Sequence, residues 1–268
     1  MPSRRVNHIS VVFDPSETDI AELICEAVAK ALKLIQESWG LGEPKDCRIH
    51  VMTSWRGFFF QSAPWYWRIW LVNTYPFWCF RARRMWPYSA AWTQRYGKRV
   101  VIGVKPPWLL EQSDKSIGKL MYEEEQDSNI KVSQLTCHEL THACAAHMKL
   151  PAWLNEGLAM LTVDRFIGKP TIRTDTLELL RSFTPRSSPP TYRELSRMDP
   201  KGIAYYTTLG YWLVQYLEEV QPGFLKQLFA SSTVSRTIEP AIVEILGFQP
   251  NTFWRGIPDR IANHYQRM

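Results

Sequence analysis

The sequence predicts an α+β fold: a small mixed sheet with helices in the N-terminal part, a long helix bearing an H-E-x-x-H motif, and a helical C-terminal half. Three observations carry this. The chain opens as strand, helix and strand; residues 129–149 contain neither Gly nor Pro; and almost every periodic stretch after residue 150 has helical spacing.

In order, Val6 to Phe13 reads as one strand. Ser16-Glu17-Thr18-Asp19 resembles a capping box with Ser16 at the N-cap. Ile20, Leu23, Ile24, Ala27, Val28, Ala31 and Ile35 then follow at helical spacing, and Gly40 closes that helix. Cys47 to Thr53 is the next strand. Arg99 to Val104 is a β-branched strand that stops at Pro106-Pro107. Glu111 to Asp127 carries six acids and reads as a solvated loop, which could also pair with the basic stretch before it. Apolar Ile130, Val132, Leu135, Leu140, Ala143 and Ala146 accompany the helix that follows, and Leu150-Pro151 ends it. Trp153, Leu154, Leu158, Ala159, Leu161 and Val163 give a second helix face. Loops are expected at Gly168-Lys169-Pro170 and Ser187–Pro190, and helices at Ile203–Val220, Phe224–Phe229, Ile238–Leu246 and Thr252–Tyr265.

A length of 268 residues fits one large domain or two small ones, and 45% apolar residues suffice for a core. The expected division is 1–148, ending with the motif helix, and 149–268. Five cysteines, odd in number and without C-x-x-C, argue against a disulfide framework and for a reducing, cytoplasmic setting. Cys137 and Cys144, two helical turns apart, read as buried thiols. No apolar run follows Arg4 and Arg5, so no secretory signal is expected. The longest uncharged aromatic run, Ile69 to Phe80, has 12 residues, short of the roughly 20 a membrane helix needs. No phosphate-binding G-x-x-x-x-G-K-[ST] loop is present.

Residues 47–110 stand apart, as a basic aromatic insertion. They hold no Asp or Glu, ten Lys or Arg and eight tryptophans. Taking that +10 from the formal total of +6 leaves −4 for the remainder. An anionic membrane surface, an acidic protein partner or single-stranded nucleic acid would each suit such a segment. So would a hairpin packed on its own domain, with arginines stacked on tryptophans. Arg81-Ala82-Arg83-Arg84 is too short for a nucleic-acid signature, which makes nucleic acid the weakest of these.

The chemistry concentrates in Cys137-His138-Glu139-Leu140-Thr141-His142 and Leu150-Pro151-Ala152-Trp153-Leu154-Asn155-Glu156-Gly157-Leu158-Ala159. Residues four apart on a helix share a face, so His138 and His142 can present both imidazoles to one metal ion. Glu139 lies about 100° round the helix, able to reach a bound water but poorly placed as a ligand. A catalytic zinc needs three protein ligands and one open position. A short turn between the two helices would bring Glu156 round as the third. The longer H-E-x-x-H-x-x-G-x-x-H pattern fails at Ala145 and Met148. His147 points off this face.

These residues resemble the gluzincin zinc metallopeptidases, particularly their compact peptidase-MA-like members. The likeness is strong over 131–163, extends to about 217 and is weak elsewhere. It implies a zincin-like active-site helix, Zn2+ held by His138, His142 and Glu156, Glu139 as general base, and a peptide or protein substrate. It further implies an oxyanion-stabilising tyrosine from a later helix, for which Tyr205 and Tyr206 are the candidates, and substrate lying along the 99–104 strand if its edge is exposed. Some family members carry Asp four residues after the ligand Glu; here Met160 stands there, with Asp164 the nearest acid. Two other classes are open: a non-catalytic binding protein that uses 47–110 on the same fold, and a nucleic-acid-binding protein.

Overall fold

In the computed structural model, residues 1–113, 118–182, 188–231 and 234–266 are described. The fold is α+β. Five strands and fourteen α-helices are seen among these residues. They are β1 (Ser3–Val6), β2 (Ile9–Val12), α1 (Thr18–Trp39), β3 (Cys47–Val51), α2 (Trp55–Ser62), α3 (Trp65–Asn73), α4 (Tyr75–Met85), β4 (Ala91–Tyr96) and β5 (Arg99–Val104). After these come α5 (Pro107–Ser113), α6 (Gly118–Met121), α7 (Ser128–Ala145), α8 (Ala152–Ile167), α9 (Thr176–Ser182), α10 (Tyr192–Leu195), α11 (Pro200–Val220), α12 (Phe224–Ala230), α13 (Val234–Ile245) and α14 (Phe253–Tyr265).

The chain divides into two compact units, one of residues 1–34, 42–116 and 124–144, the other of 35–41, 117–123 and 145–268. The first contains a five-stranded sheet of order β1-β2-β3-β5-β4. Both outer pairs are antiparallel, while β2–β3 and β3–β5 are parallel. The single strand expected over Val6–Phe13 is in fact a hairpin, because Asn7 takes a left-handed backbone at φ 51° and turns the chain. Helix α1 starts at Thr18 directly after a 3-10 turn at Pro15–Glu17, so Ser16 lies inside that turn and is not the expected N-cap; Asp14, which precedes the turn, makes no side-chain cap bond. Gly40, at φ +69°, follows the helix as expected.

Arg99–Val104 is an interior strand with β3 on one side and β4 on the other. The edge on this side of the sheet is therefore β4, and substrate pairing along 99–104 is ruled out by that neighbour. One row of side chains crosses the sheet in register: Val11, Ile49, Ile102 and, at the edge, Thr93. The first three are wholly buried. Strand alternation puts Trp92 and Tyr96 on the opposite face. There they join a core of Met52, Phe58, Phe59, Leu71, Ala82 and Val101.

Segment 47–110 is thus only partly what its composition suggests. It is mainly helical after β3, and Trp55, Trp67, Trp78, Trp86 and Trp92 pack against this core. Lys105 is fully buried, donates to the Trp86 carbonyl at 2.6 Å and lies over the Trp86 ring. Burial lowers its pKa to about 8. His50, also buried on β3, is held to about 4 by burial and then by the nearby Arg48 charge, so it is neutral at pH 7.

The second unit is built around α8 and α11. Gly157 and Gly210 let the two backbones approach closely. A Cβ on Gly157 would collide with the Gly210 carbonyl, and one on Gly210 with the Trp153 carbonyl. Asp164 of α8 is buried, accepts from the Thr171 N–H and hydroxyl at 2.8 and 2.6 Å, and accepts from the Tyr211 hydroxyl at 2.6 Å. Trp39 donates to Thr162 at 2.8 Å, and Trp212 to Thr176 at 2.9 Å. Asp199 caps α11 by accepting from the Gly202 N–H. The loop expected over 111–127 instead holds the end of α5 and all of α6; residues 114–117 of it, and Ser187 of the expected Ser187–Pro190 turn, lie outside the described residues.

Gly157→Ala and Gly210→Ala are each expected to destabilise the protein. Alanine gains up to about 1 kcal/mol in helix propensity. Overpacking against a backbone carbonyl that cannot rotate away costs about 1–3 kcal/mol or more, and wins. A urea midpoint that falls with an unchanged slope is the expected reading; a raised midpoint would show the helices do not need this contact.

Candidate metal centre

Helix α7 begins under Asp127, whose carboxylate accepts from the N–H groups of Asn129 and Ile130 at 2.7 and 3.3 Å. It runs unbroken through both motif histidines to Ala145. A 3-10 turn at Ala146–Met148 and a left-handed Lys149 lead to Pro151, the N-cap of α8, so proline stands one position earlier than a first-turn placement.

His138, His142 and Glu156 each offer a ligand atom, and these atoms lie within 4.8 Å of one another. The two Nε2 atoms are 3.0 Å apart and the rings meet edge to face at 4.6 Å. Bonds of about 2.0–2.1 Å at tetrahedral angles would set ligand atoms about 3.3 Å apart, so the spacing fits a zinc-sized ion. Two imidazoles and one carboxylate are also the donor types such an ion takes. All three residues are half-buried.

Glu139 stands outside this ligand set. Its Oε2 accepts a short hydrogen bond from the Thr93 hydroxyl, the last member of the buried row across the sheet. Glu156 accepts at Oε1 from the Tyr192 hydroxyl at 2.9 Å, and that hydroxyl accepts from Asn155 Nδ2 at 2.7 Å. A reciprocal capping box between Thr191 and Glu194 holds the short α10 that carries Tyr192.

Tyr205 and Tyr206 lie near the start of α11, 0% and 7% exposed, with their rings 4.8 Å apart. His147 is exposed. Cys137 and Cys144 are buried free thiols, and burial pushes the Cys137 thiol up to about 12. Asp164 is committed to Thr171 and Tyr211. Sequence reasoning missed Thr93, Asn155 and Tyr192. Asn155 adjoins the candidate ligand Glu156 and Tyr192 lies inside a T-x-x-E cap signal, but neither pattern indicates contact with a ligand.

Compared with known proteins, the chain matches no family model, no curated protein and no solved structure.

Proposed function

We propose that the chain is a zinc metallopeptidase of gluzincin type. The observation that supports this most is the separation of roles: His138, His142 and Glu156 each offer a ligand atom to one group, while Glu139, on the same helix as the histidines, is not in that group and accepts from Thr93. A purely structural site has no use for that carboxylate.

Bound there, zinc supplies a water of lowered pKa and a Lewis acid for a carbonyl oxygen. The protein's own groups do the rest. Glu139 takes the proton as the water oxygen bonds to the peptide carbon, then delivers it to the leaving nitrogen as the C–N bond breaks. Thr93 fixes the Glu139 carboxylate through that cycle. Tyr192, steadied by Asn155, orients Glu156. An oxyanion role for Tyr205 or Tyr206 fits poorly with their burial, whereas Tyr192 is 47% exposed. Among the described residues β4 is one of the two terminal strands of the sheet, and its outer edge suits an extended peptide pairing beside Glu139.

The test is incubation of the purified, zinc-loaded protein with an unbiased peptide library. Cleavage that stops on chelation and returns with zinc is expected. Zinc uptake with no cleavage of any peptide would leave a metal-binding protein and end the peptidase reading.

A further inference from the structure

We propose that helices α3 and α4 form a docking face for an anionic lipid surface. Among the described residues, the three most exposed large apolar side chains all lie on these two helices. Phe77 is 86% exposed, Phe80 76% and Trp65 72%, with Ile69 and Trp70 more than half exposed. Trp65, Ile69 and Val72 fall at i, i+4 and i+7, one stripe of α3. Phe77, Phe80 and Arg84 fall at i, i+3 and i+7, one stripe of α4. Exposed single hydrophobes are ordinary, but this many large ones within 21 residues of chain call for something to cover them.

The helices are nevertheless built, not loose. Leu71 and Ala82 are buried in the aromatic core, and Trp78 donates to the Leu71 carbonyl at 2.9 Å. The outer apolar face is therefore presented by a formed scaffold, which lowers the ordering cost of binding.

Charge selects the occupant. No acid occurs between 47 and 110, and Arg83 and Arg84 stand exposed in the last turn of α4. The one charged side chain of α3, Arg68, already donates to the carbonyls of Ala63 and Gln61. A protein partner would want about one directional hydrogen bond per 100–200 Å² of interface, and the α3 face offers little for that. A bilayer needs none: it takes apolar side chains below its headgroups and cations among them. Tryptophan and tyrosine favour that interface. Helices of 9 and 11 residues span about 14 and 17 Å, far short of a hydrocarbon core of about 30 Å, so they lie in the surface without crossing it. No helix of the described residues is long and apolar enough to cross a membrane.

The experiment is co-sedimentation of the full-length protein with vesicles of phosphatidylcholine alone or mixed with phosphatidylglycerol, at low and high salt. The parent should bind the mixed vesicles more tightly, and salt should narrow the difference. Phe77→Ser with Phe80→Ser should remove most binding to both. Arg83→Gln with Arg84→Gln should weaken binding to the mixed vesicles about thirtyfold, at about a factor of five per cation, and leave binding to phosphatidylcholine unchanged. All four side chains are exposed, so circular dichroism and zinc content should match the parent. If the serine pair unfolds, the glutamine pair decides alone, and undiminished affinity for mixed vesicles overturns the proposal. So does a parent that sediments with neither vesicle. A parent that dimerises without vesicles, and becomes monomeric as the serine pair, assigns the face to a second copy instead and overturns it too.

Discussion

Glu139→Gln should hold its zinc, keep its fold and lose turnover by about 10²–10⁴-fold, the range that a positioned general base contributes. The substitution exchanges a carboxylate oxygen for an amide nitrogen at nearly constant volume. The Thr93 hydroxyl can still donate to the remaining carbonyl oxygen, so the side chain stays where it is. What the amide cannot do is accept a proton from water at neutral pH. Because the residue is not among the three metal donors, zinc content measured by elemental analysis should equal the parent's. Initial rates on a peptide found by library cleavage supply the other half of the comparison. A variant that cleaves at the parent rate would remove Glu139 from the mechanism, and with it the distinction between a catalytic and a structural site. Thr93→Val offers a graded companion: it frees the carboxylate without deleting it, so its loss should be smaller than that of Glu139→Gln.

Much of the fold was legible because it is periodic. The helices α1, α7, α8 and α11 all declare themselves by apolar residues at 3.6 spacing, and the strands at 47–51 and 99–104 by β-branched runs. Order within the sheet was not legible. Nothing local to Arg99–Val104 says that Ala91–Tyr96 will pair outside it; that depends on the Gly97-Lys98 turn, with Gly97 at φ +65°. The aromatic-rich composition of 55–86 likewise concealed three helices. Trp, Tyr and Phe favour strands in isolation, and the tertiary core around Phe59 and Trp78 overrides that preference.

The same division holds at the site. His138, Glu139 and His142 are a short-range pattern, and Glu156 follows 14 residues later on the next helix, so four positions could be read from spacing. The groups that orient them are remote in sequence. Thr93 reaches Glu139 across 46 residues and Tyr192 reaches Glu156 across 36. A lone threonine or tyrosine carries no signal of such a meeting. Gly157 is intermediate: it sits inside the motif, yet its reason is the close passage of Gly210 on α11, which only the packed helices reveal.

His138→Ala and His142→Ala should each abolish tight zinc binding, because each removes one of the three candidate donors found among the described residues and leaves a pair that cannot close a tetrahedral site. Tyr192→Phe sets the scale for comparison. It takes away the hydroxyl that holds Glu156 Oε1 but no donor, so the expected cost is about 10–100-fold in affinity, as for other groups that orient a ligand. Glu156→Gln belongs with the histidines, since a neutral amide oxygen is a far weaker donor to a dication than a carboxylate. Competition with a chelator of known affinity at fixed pH gives all four values on one scale. The pH must be held constant because an imidazole has to lose its proton before it can bind, which ties affinity to pH. The three ligand variants should fall well below Tyr192→Phe, and their melting temperatures should no longer respond to added zinc, whereas the parent's should rise. Full zinc occupancy in either histidine variant would mean that the ion sits elsewhere and that the convergence of His138, His142 and Glu156 serves packing alone.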